Sequence, residues 1–106
     1  HISDLNSDFL LITGIADSKP LTRHLKSKKL KFKHLTYNDH HNYNQNDIKE
    51  ILKYSEDKII LTTEKDYFKI MSIHDFKNLF YIEIKIDFFG KSNDLVNLIS
   101  NKLNFN

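Results

Sequence analysis

Apolar residues along this chain come in two kinds of run, continuous and alternating, and the difference predicts where each strand lies. The run Phe9-Leu10-Leu11-Ile12 before Thr13, and Ile59-Ile60-Leu61 between Lys58 and Thr62, carry apolar side chains at successive positions, as a strand covered on both faces requires. Leu30, Phe32 and His34 instead alternate with Lys31 and Lys33 in the stretch that runs to Tyr37. Phe80, Ile82, Ile84 and Ile86 alternate with Tyr81, Glu83, Lys85 and Asp87. A period of two marks a strand with one face in solvent. The first and third strands are therefore expected at the centre of a sheet, and the second and fourth at its edges.

Helical spacing fills the intervals. Asp17 or Ser18 can cap a helix whose first turn holds Pro20 and whose apolar face includes Leu21 and Leu25. Asn44 with Asp47 three residues on has the form of a capping box. Tyr43 and Ile48 can close a hydrophobic staple there, ahead of a stripe of Ile48, Ile51 and Leu52. A short helix is expected through Tyr67, Phe68, Ile70 and Met71. After a break at Gly90 and a cap at Ser92, the spacing of Leu95, Leu98, Ile99 and Leu103 predicts a last helix. Residues 1–7 read as a polar lead-in. Strands alternating with helices, joined by right-handed crossovers, predict an α/β three-layer sandwich. Its mostly parallel four-stranded sheet takes the order 2-1-3-4, with helices on both faces.

Parallel strands would bring the candidate chemistry together. Gly14-Ile15-Ala16-Asp17-Ser18 follows the first strand, Asp39-His40-His41 the second, and Thr63-Glu64-Lys65-Asp66 the third. All three clusters then share the carboxyl edge, where open α/β sheets bind ligands, with the switch point beside Gly14 and Thr63-Glu64. Gly14 permits a tight turn there. Asp39-His40-His41 is the sharpest of the three. A histidine titrates near neutrality, and a neighbouring carboxylate can orient it and stabilise its cation, as general acid–base work requires. With Asn38 and Asn42, the same residues equally suit a surface turn. Thr63 to Asp66 suits a helix start, with Thr62 or Thr63 as cap and acidic residues toward the positive end of the dipole. Lys65 opposes that dipole and is not explained by capping. His24, His34 and His74 sit in helix or strand contexts and read as structural.

Composition narrows the possibilities. At 106 residues, 40% hydrophobic and 28% charged, the chain reads as one soluble globular domain spanning 1–106. The net charge is only +2, and the lysines concentrate only at Lys26, Lys28, Lys29, Lys31 and Lys33. That group suits either a solvated helix end beside a guarded edge strand, or attraction to phosphate or an anionic membrane surface. The absence of cysteine excludes disulfides and thiolate catalysis. No apolar run approaches the roughly 18 residues that span a bilayer, and no signal-peptide pattern opens the chain. No dinucleotide fingerprint, GxxxxGK[ST] phosphate loop, nucleophile elbow or nucleic-acid motif occurs. A nucleotide site contained in this chain and a nucleic-acid partner are accordingly not expected. Nor is a metal, since only Asp39, His40 and His41 offer themselves locally and adjacent side chains rarely chelate one ion. The first residue is His1 rather than a methionine, and a piece of a longer protein is expected.

In their order and spacing, Thr13-Gly14-Ile15-Ala16, Asp39-His40 and Leu61-Thr62-Thr63-Glu64-Lys65-Asp66 resemble the C-terminal part of the tetraacyldisaccharide 4′-kinase family, the lipid A kinases of Gram-negative bacteria. The resemblance spans about Phe9 to Ile86. The lysine- and asparagine-rich style, with His41-Asn42 after Asp39-His40, is similar to the Bacteroidetes branch. The resemblance implies a cytoplasmic enzyme, peripheral to the inner membrane. Such enzymes move the γ-phosphate of ATP to the 4′-hydroxyl of the lipid A disaccharide precursor. ATP and Mg²⁺ would be held mainly by an N-terminal phosphate-loop domain of the same polypeptide, which is absent here, so this chain alone would be inactive. The resemblance assigns catalysis to His40, paired with an aspartate of that other domain, and to Asp39 as its orienting carboxylate. Gly14, His41, Thr63, Glu64, Lys65 and Asp66 would line the substrate cleft, with individual roles unassigned. Two further readings stay open. One is a phosphoesterase of the Asp-His-His type with a two-manganese site, for which Asp17 and Asp66 are the further aspartates on offer. The other is a non-catalytic module that binds a partner or an anionic ligand.

Overall fold

The computed structural model describes residues 8–86 and 96–100, with side chains described within 8–82. One sheet contains β1 (Phe9–Thr13), β2 (Phe32–Thr36), β3 (Ile60–Thr63), β4 (Leu79–Ile86) and β5 (Val96–Ser100), in the order β2-β1-β3-β4-β5. Helices α1 (Lys19–Ser27), α2 (Gln45–Ser55) and α3 (Glu64–Met71) join the first four strands, which are mutually parallel. The expected 2-1-3-4 order is the one observed, with β1 and β3 inside the sheet and β2 at an edge.

The expected last helix is instead a strand. Val96–Ser100 pairs antiparallel with β4, from Ile86 opposite Val96 to Ile82 opposite Ser100. Leu95, Leu98 and Ile99 have helical spacing, but β4 presents a full row of backbone donors and acceptors that a helix would leave unpaired. Strand pairing satisfies them, and tertiary context overrides the local period. As a consequence β4 is not an edge strand. Gly90, Ser92, Leu95, Leu103 and the lead-in at 1–7 lie outside the described residues.

Strand β1 is buried along its whole length and separates two hydrophobic clusters. Leu10 and Ile12 pack with Ile48 and Ile51 of α2, Ile70 of α3, and Ile60 and Leu79. Phe9 and Leu11 pack with Leu21 and Leu25 of α1, and with Leu61 and Ile82. Alternate residues of one strand thus meet different helices, consistent with helices on both faces. Burying each such side chain contributes about 1.5–3 kcal/mol, so this central strand is the main organiser of the fold.

Local chemistry explains where the helices begin. Asn44 Oδ1 accepts the Asp47 N–H at 3.0 Å, and Asp47 Oδ2 accepts the Asn44 N–H at 2.9 Å, completing the capping box. Tyr43 and Ile48 are buried together as its staple. The inward line of α2 runs through Ile48, Ile51 and Ser55, which leaves Leu52 at its margin and 46% exposed, outside the stripe expected of it. At α1, Ser18 is the cap residue by position but makes no side-chain bond; Asp17 Oδ1 accepts the Lys19 N–H at 3.0 Å instead. Lys26, Lys28, Lys29, Lys31 and Lys33 are all exposed, around the end of α1 and along the edge strand. Lys33 Nζ lies 4.5 Å from the centre of the Tyr54 ring. Charged side chains on an open edge discourage pairing with another chain.

Candidate site at the carboxyl edge of the sheet

Because β1, β2 and β3 run parallel, the three polar clusters do meet at one edge. Gly14 joins them. Its N–H donates to Asp66 Oδ2 at 3.0 Å, and its carbonyl accepts the N–H of His40 at 3.2 Å. The loop after β2 is held alongside by a further bond, from the Tyr37 N–H to the Thr13 carbonyl at 2.7 Å.

Asp66 is the third residue of α3 and only 2% exposed. Thr63 caps this helix, its Oγ1 accepting the Asp66 N–H at 3.3 Å while donating to Asp66 Oδ2 at 2.5 Å. The Asp66 carboxylate extends beyond the cap to Gly14, and its Oδ1 accepts the Tyr43 hydroxyl at 3.0 Å. Burial pushes the Tyr43 phenol well above its ordinary range, and the Asp66 charge raises it further, so Tyr43 stays a donor at any ordinary pH. Three chain segments therefore close on one buried carboxylate, which faces protein rather than the open edge.

Gly14 serves this arrangement through its size. No glycine among the described residues has a positive φ, and a Cβ at position 14 would lie 2.8 Å from Asp66 Oδ1, 3.1 Å from Tyr43 Oη and 3.2 Å from the Asn38 carbonyl oxygen. Gly14→Ala must push these groups apart and is expected to cost about 1–3 kcal/mol, the usual range for overpacking. Comparing chemical-denaturation midpoints of the two proteins checks this.

Asp39 and His40 are exposed at the edge. The His40 side chain is 74% exposed and that of Asp39 44%, with His40 Nε2 lying 3.5 Å from Asp39 Oδ2. His40 adopts the left-handed backbone region at φ 61°, where histidine is among the better tolerated residues. His41 is placed quite differently. Its ring stacks on Tyr37 with centroids 4.7 Å apart, meets Tyr43 edge-on, and its Nε2 lies 2.8 Å from Asp47 Oδ2. Lys69 Nζ donates to the His41 carbonyl at 3.1 Å. Glu64 and Lys65, in the first turn of α3, are exposed at the same edge. Of the eight sequence-predicted residues, Asp39, His40, Glu64 and Lys65 thus face solvent. Gly14, Thr63, Asp66 and, largely, His41 support them from behind.

Sequence reasoning missed the wider roles of Tyr43, Asp47 and Tyr37. Tyr43 and Asp47 were legible as staple and cap, but nothing in the local pattern says that the same side chains also bind Asp66 and His41. Tyr37 closes a bond of its own, its hydroxyl donating to Glu50 Oε1 at 2.6 Å.

His34 supports the edge on the α1 side. Its Nε2 lies 2.8 Å from Thr13 Oγ1, and burial, then the Lys26 charge, holds its imidazole below the ordinary 6.5. The unfolded chain binds this proton more readily, so stability should fall as pH drops through 6.5 and level off below the lowered folded value. His24, also lowered by burial and then by Lys28, adds to the same slope. His34→Gln is expected to flatten the fall in melting temperature between about pH 7 and pH 5, measured on the purified protein.

Among the described residues, no group of three or more histidine, aspartate or glutamate side chains is placed to hold a metal ion, so the two-manganese arrangement finds no ligand set there. No helix among them is long and apolar enough to cross a membrane.

Comparison with known proteins adds to this geometry. The family model described as tetraacyldisaccharide-1-P 4′-kinase matches residues 2–104. The tetraacyldisaccharide 4′-kinase of Cytophaga hutchinsonii is 31% identical over 92% of this chain and 30% of its own length. That of Flavobacterium psychrophilum is 38% identical over 72% of the chain and 22% of its own length. That of Bacteroides thetaiotaomicron is 42% identical over 58% of the chain and 17% of its own length. These are Bacteroidetes relatives, the branch that the resemblance implied. No solved structure matches. The fold and site define an open α/β domain with its polar loops gathered at the carboxyl edge of parallel strands. The chain belongs to the tetraacyldisaccharide-1-P 4′-kinase family, and it spans less than a third of the length of these three relatives.

Proposed function

We propose that the polypeptide carrying this chain transfers the γ-phosphate of ATP to the 4′-hydroxyl of the lipid A disaccharide precursor, and that this domain supplies the proton acceptor. The observation that carries the reading is His40: an exposed imidazole at the carboxyl edge, its backbone tied to Gly14, with the Asp39 carboxylate 3.5 Å away. As the new O–P bond forms, the sugar hydroxyl must lose its proton. Neutral His40 can take it, directly or through a catalytic aspartate of another domain, and Asp39 stabilises the resulting imidazolium. Glu64 and Lys65 face the same side and would meet the substrate or the opposing domain.

The described residues do not fit an ATP–Mg²⁺ site. The chain has no phosphate loop, and its carboxylates at this edge are either buried against protein donors, like Asp66, or isolated at the surface, like Asp39. Nucleotide and metal are therefore assigned to an N-terminal domain of the same polypeptide, and isolated residues 1–106 would be inactive. The enzyme would work at the cytoplasmic face of the inner membrane as a peripheral protein, since its substrate is a lipid. The family membership does not favour a phosphoesterase or a purely binding module.

The test is an assay of the full-length polypeptide with ATP, Mg²⁺ and the disaccharide precursor. Formation of a 4′-phosphorylated product is expected. An absence of transfer with a folded enzyme contradicts the proposal.

A further inference from the structure

We propose that Asp66 is the positioning residue for His40, acting through Gly14 to hold the left-handed turn that presents the imidazole. The proposal rests on the reading of His40 as proton acceptor. Asp66 is committed to protein donors: Oδ2 takes the Gly14 N–H and the Thr63 hydroxyl, Oδ1 takes the Tyr43 hydroxyl, and the residue is buried. Its partners bracket the His40 loop. On one side Gly14, fixed by Asp66 through its N–H, accepts the His40 N–H with its carbonyl. On the other side Tyr43, three residues beyond His40, is anchored to the same carboxylate. Between these anchors His40 sits at φ 61°, a conformation that persists only when its surroundings over-determine it. The His40 side chain itself has little to hold it, being mostly exposed with Asp39 as its neighbour. Its aim is therefore set by its backbone, which Asp66 braces through both Gly14 and Tyr43.

A misplacement of about 1 Å in a reacting group can cost on the order of 10²-fold in rate, which sets the scale of the effect. The experiment is a double-mutant cycle in the full-length enzyme, with kcat and the KM for ATP measured for Asp66→Asn, His40→Ala and the pair. Asparagine keeps the size and one acceptor oxygen but cannot satisfy all three donors. Asp66→Asn is expected to lower kcat by about 10- to 100-fold with the KM for ATP unchanged, and to cause no further loss when His40 is already alanine.

Equal losses in both backgrounds would show that Asp66 serves only the fold, and an unchanged kcat would show that it serves neither; either result overturns the proposal. Should Asp66→Asn fail to fold, as judged by circular dichroism, Tyr43→Phe replaces it, since this removes one anchor and keeps the ring. A loss confined to enzyme that retains His40 then supports the proposal, and no loss, or the same loss in both backgrounds, overturns it. The two readings fail differently. Wild-type turnover of His40→Ala by itself defeats the proton-acceptor role, whereas equal losses across the cycle defeat only the positioning role.

Discussion

In the full-length polypeptide, His40→Ala is expected to lower turnover by about 10²- to 10⁴-fold, the contribution of a positioned general base in the proposed reaction. The structure makes the substitution clean. The imidazole is 74% exposed and lies 3.5 Å from the Asp39 carboxylate, so no core contact is removed. Alanine tolerates the left-handed backbone less well than histidine does, which sets a cost of about 1–2 kcal/mol on the turn. The melting temperature should therefore fall by no more than that turn costs, while kcat collapses. The KM for ATP should stay constant, because the nucleotide is assigned to another domain. A loss divided between stability and KM would instead place His40 in the scaffold.

Asp66→Ala gives the largest expected change in stability. It strands the Gly14 N–H, the Tyr43 hydroxyl and the Thr63 hydroxyl at a buried site. Each unpartnered buried donor costs about 1–3 kcal/mol, and water entering the vacated space recovers part of that, which leaves a net loss of about 3–5 kcal/mol. For a domain of this size, 1 kcal/mol corresponds to a shift of about 4–8 °C in melting temperature, so thermal unfolding reads the effect directly. Glu64→Ala and Lys65→Ala provide the contrast. They alter the same four-residue cluster at exposed positions and should stay within about 0.5 kcal/mol of the parent.

Much of this arrangement was legible in the chain, because some of its signals are local and strong. Continuous apolar runs placed β1 and β3 inside the sheet, alternation placed β2 at an edge, and Asn44 with Asp47 marked the start of α2 to the residue. What failed was what depends on partners distant in sequence. Leu95, Leu98 and Ile99 look helical in isolation, but the ladder of β4 draws residues 96–100 into a strand. Leu52 has the spacing of a core residue, yet the sheet is met by the line through Ile48, Ile51 and Ser55.

The site divides along the same principle. Parallel topology was enough to expect the three clusters at one edge. It could not say which members of each cluster face outward. Adjacent histidines fared oppositely: His41 is held by Tyr37, Tyr43 and Asp47, while His40 points to solvent. In Thr63-Glu64-Lys65-Asp66, helical geometry turns Glu64 and Lys65 outward and carries Asp66 inward to Gly14. Gly14 itself looked like a turn glycine, but its role is to leave room for a carboxylate that lies 52 residues further along the chain.

The central claim is that this edge delivers one imidazole to a hydroxyl that is losing its proton. Chemical rescue tests it most directly. Turnover of full-length His40→Ala is measured as free imidazole is added, at a pH where imidazole is neutral. The account predicts a depressed rate that rises with imidazole and saturates, with no such rise for the parent enzyme. A His40→Ala enzyme that turns over at the parent rate without imidazole would contradict it.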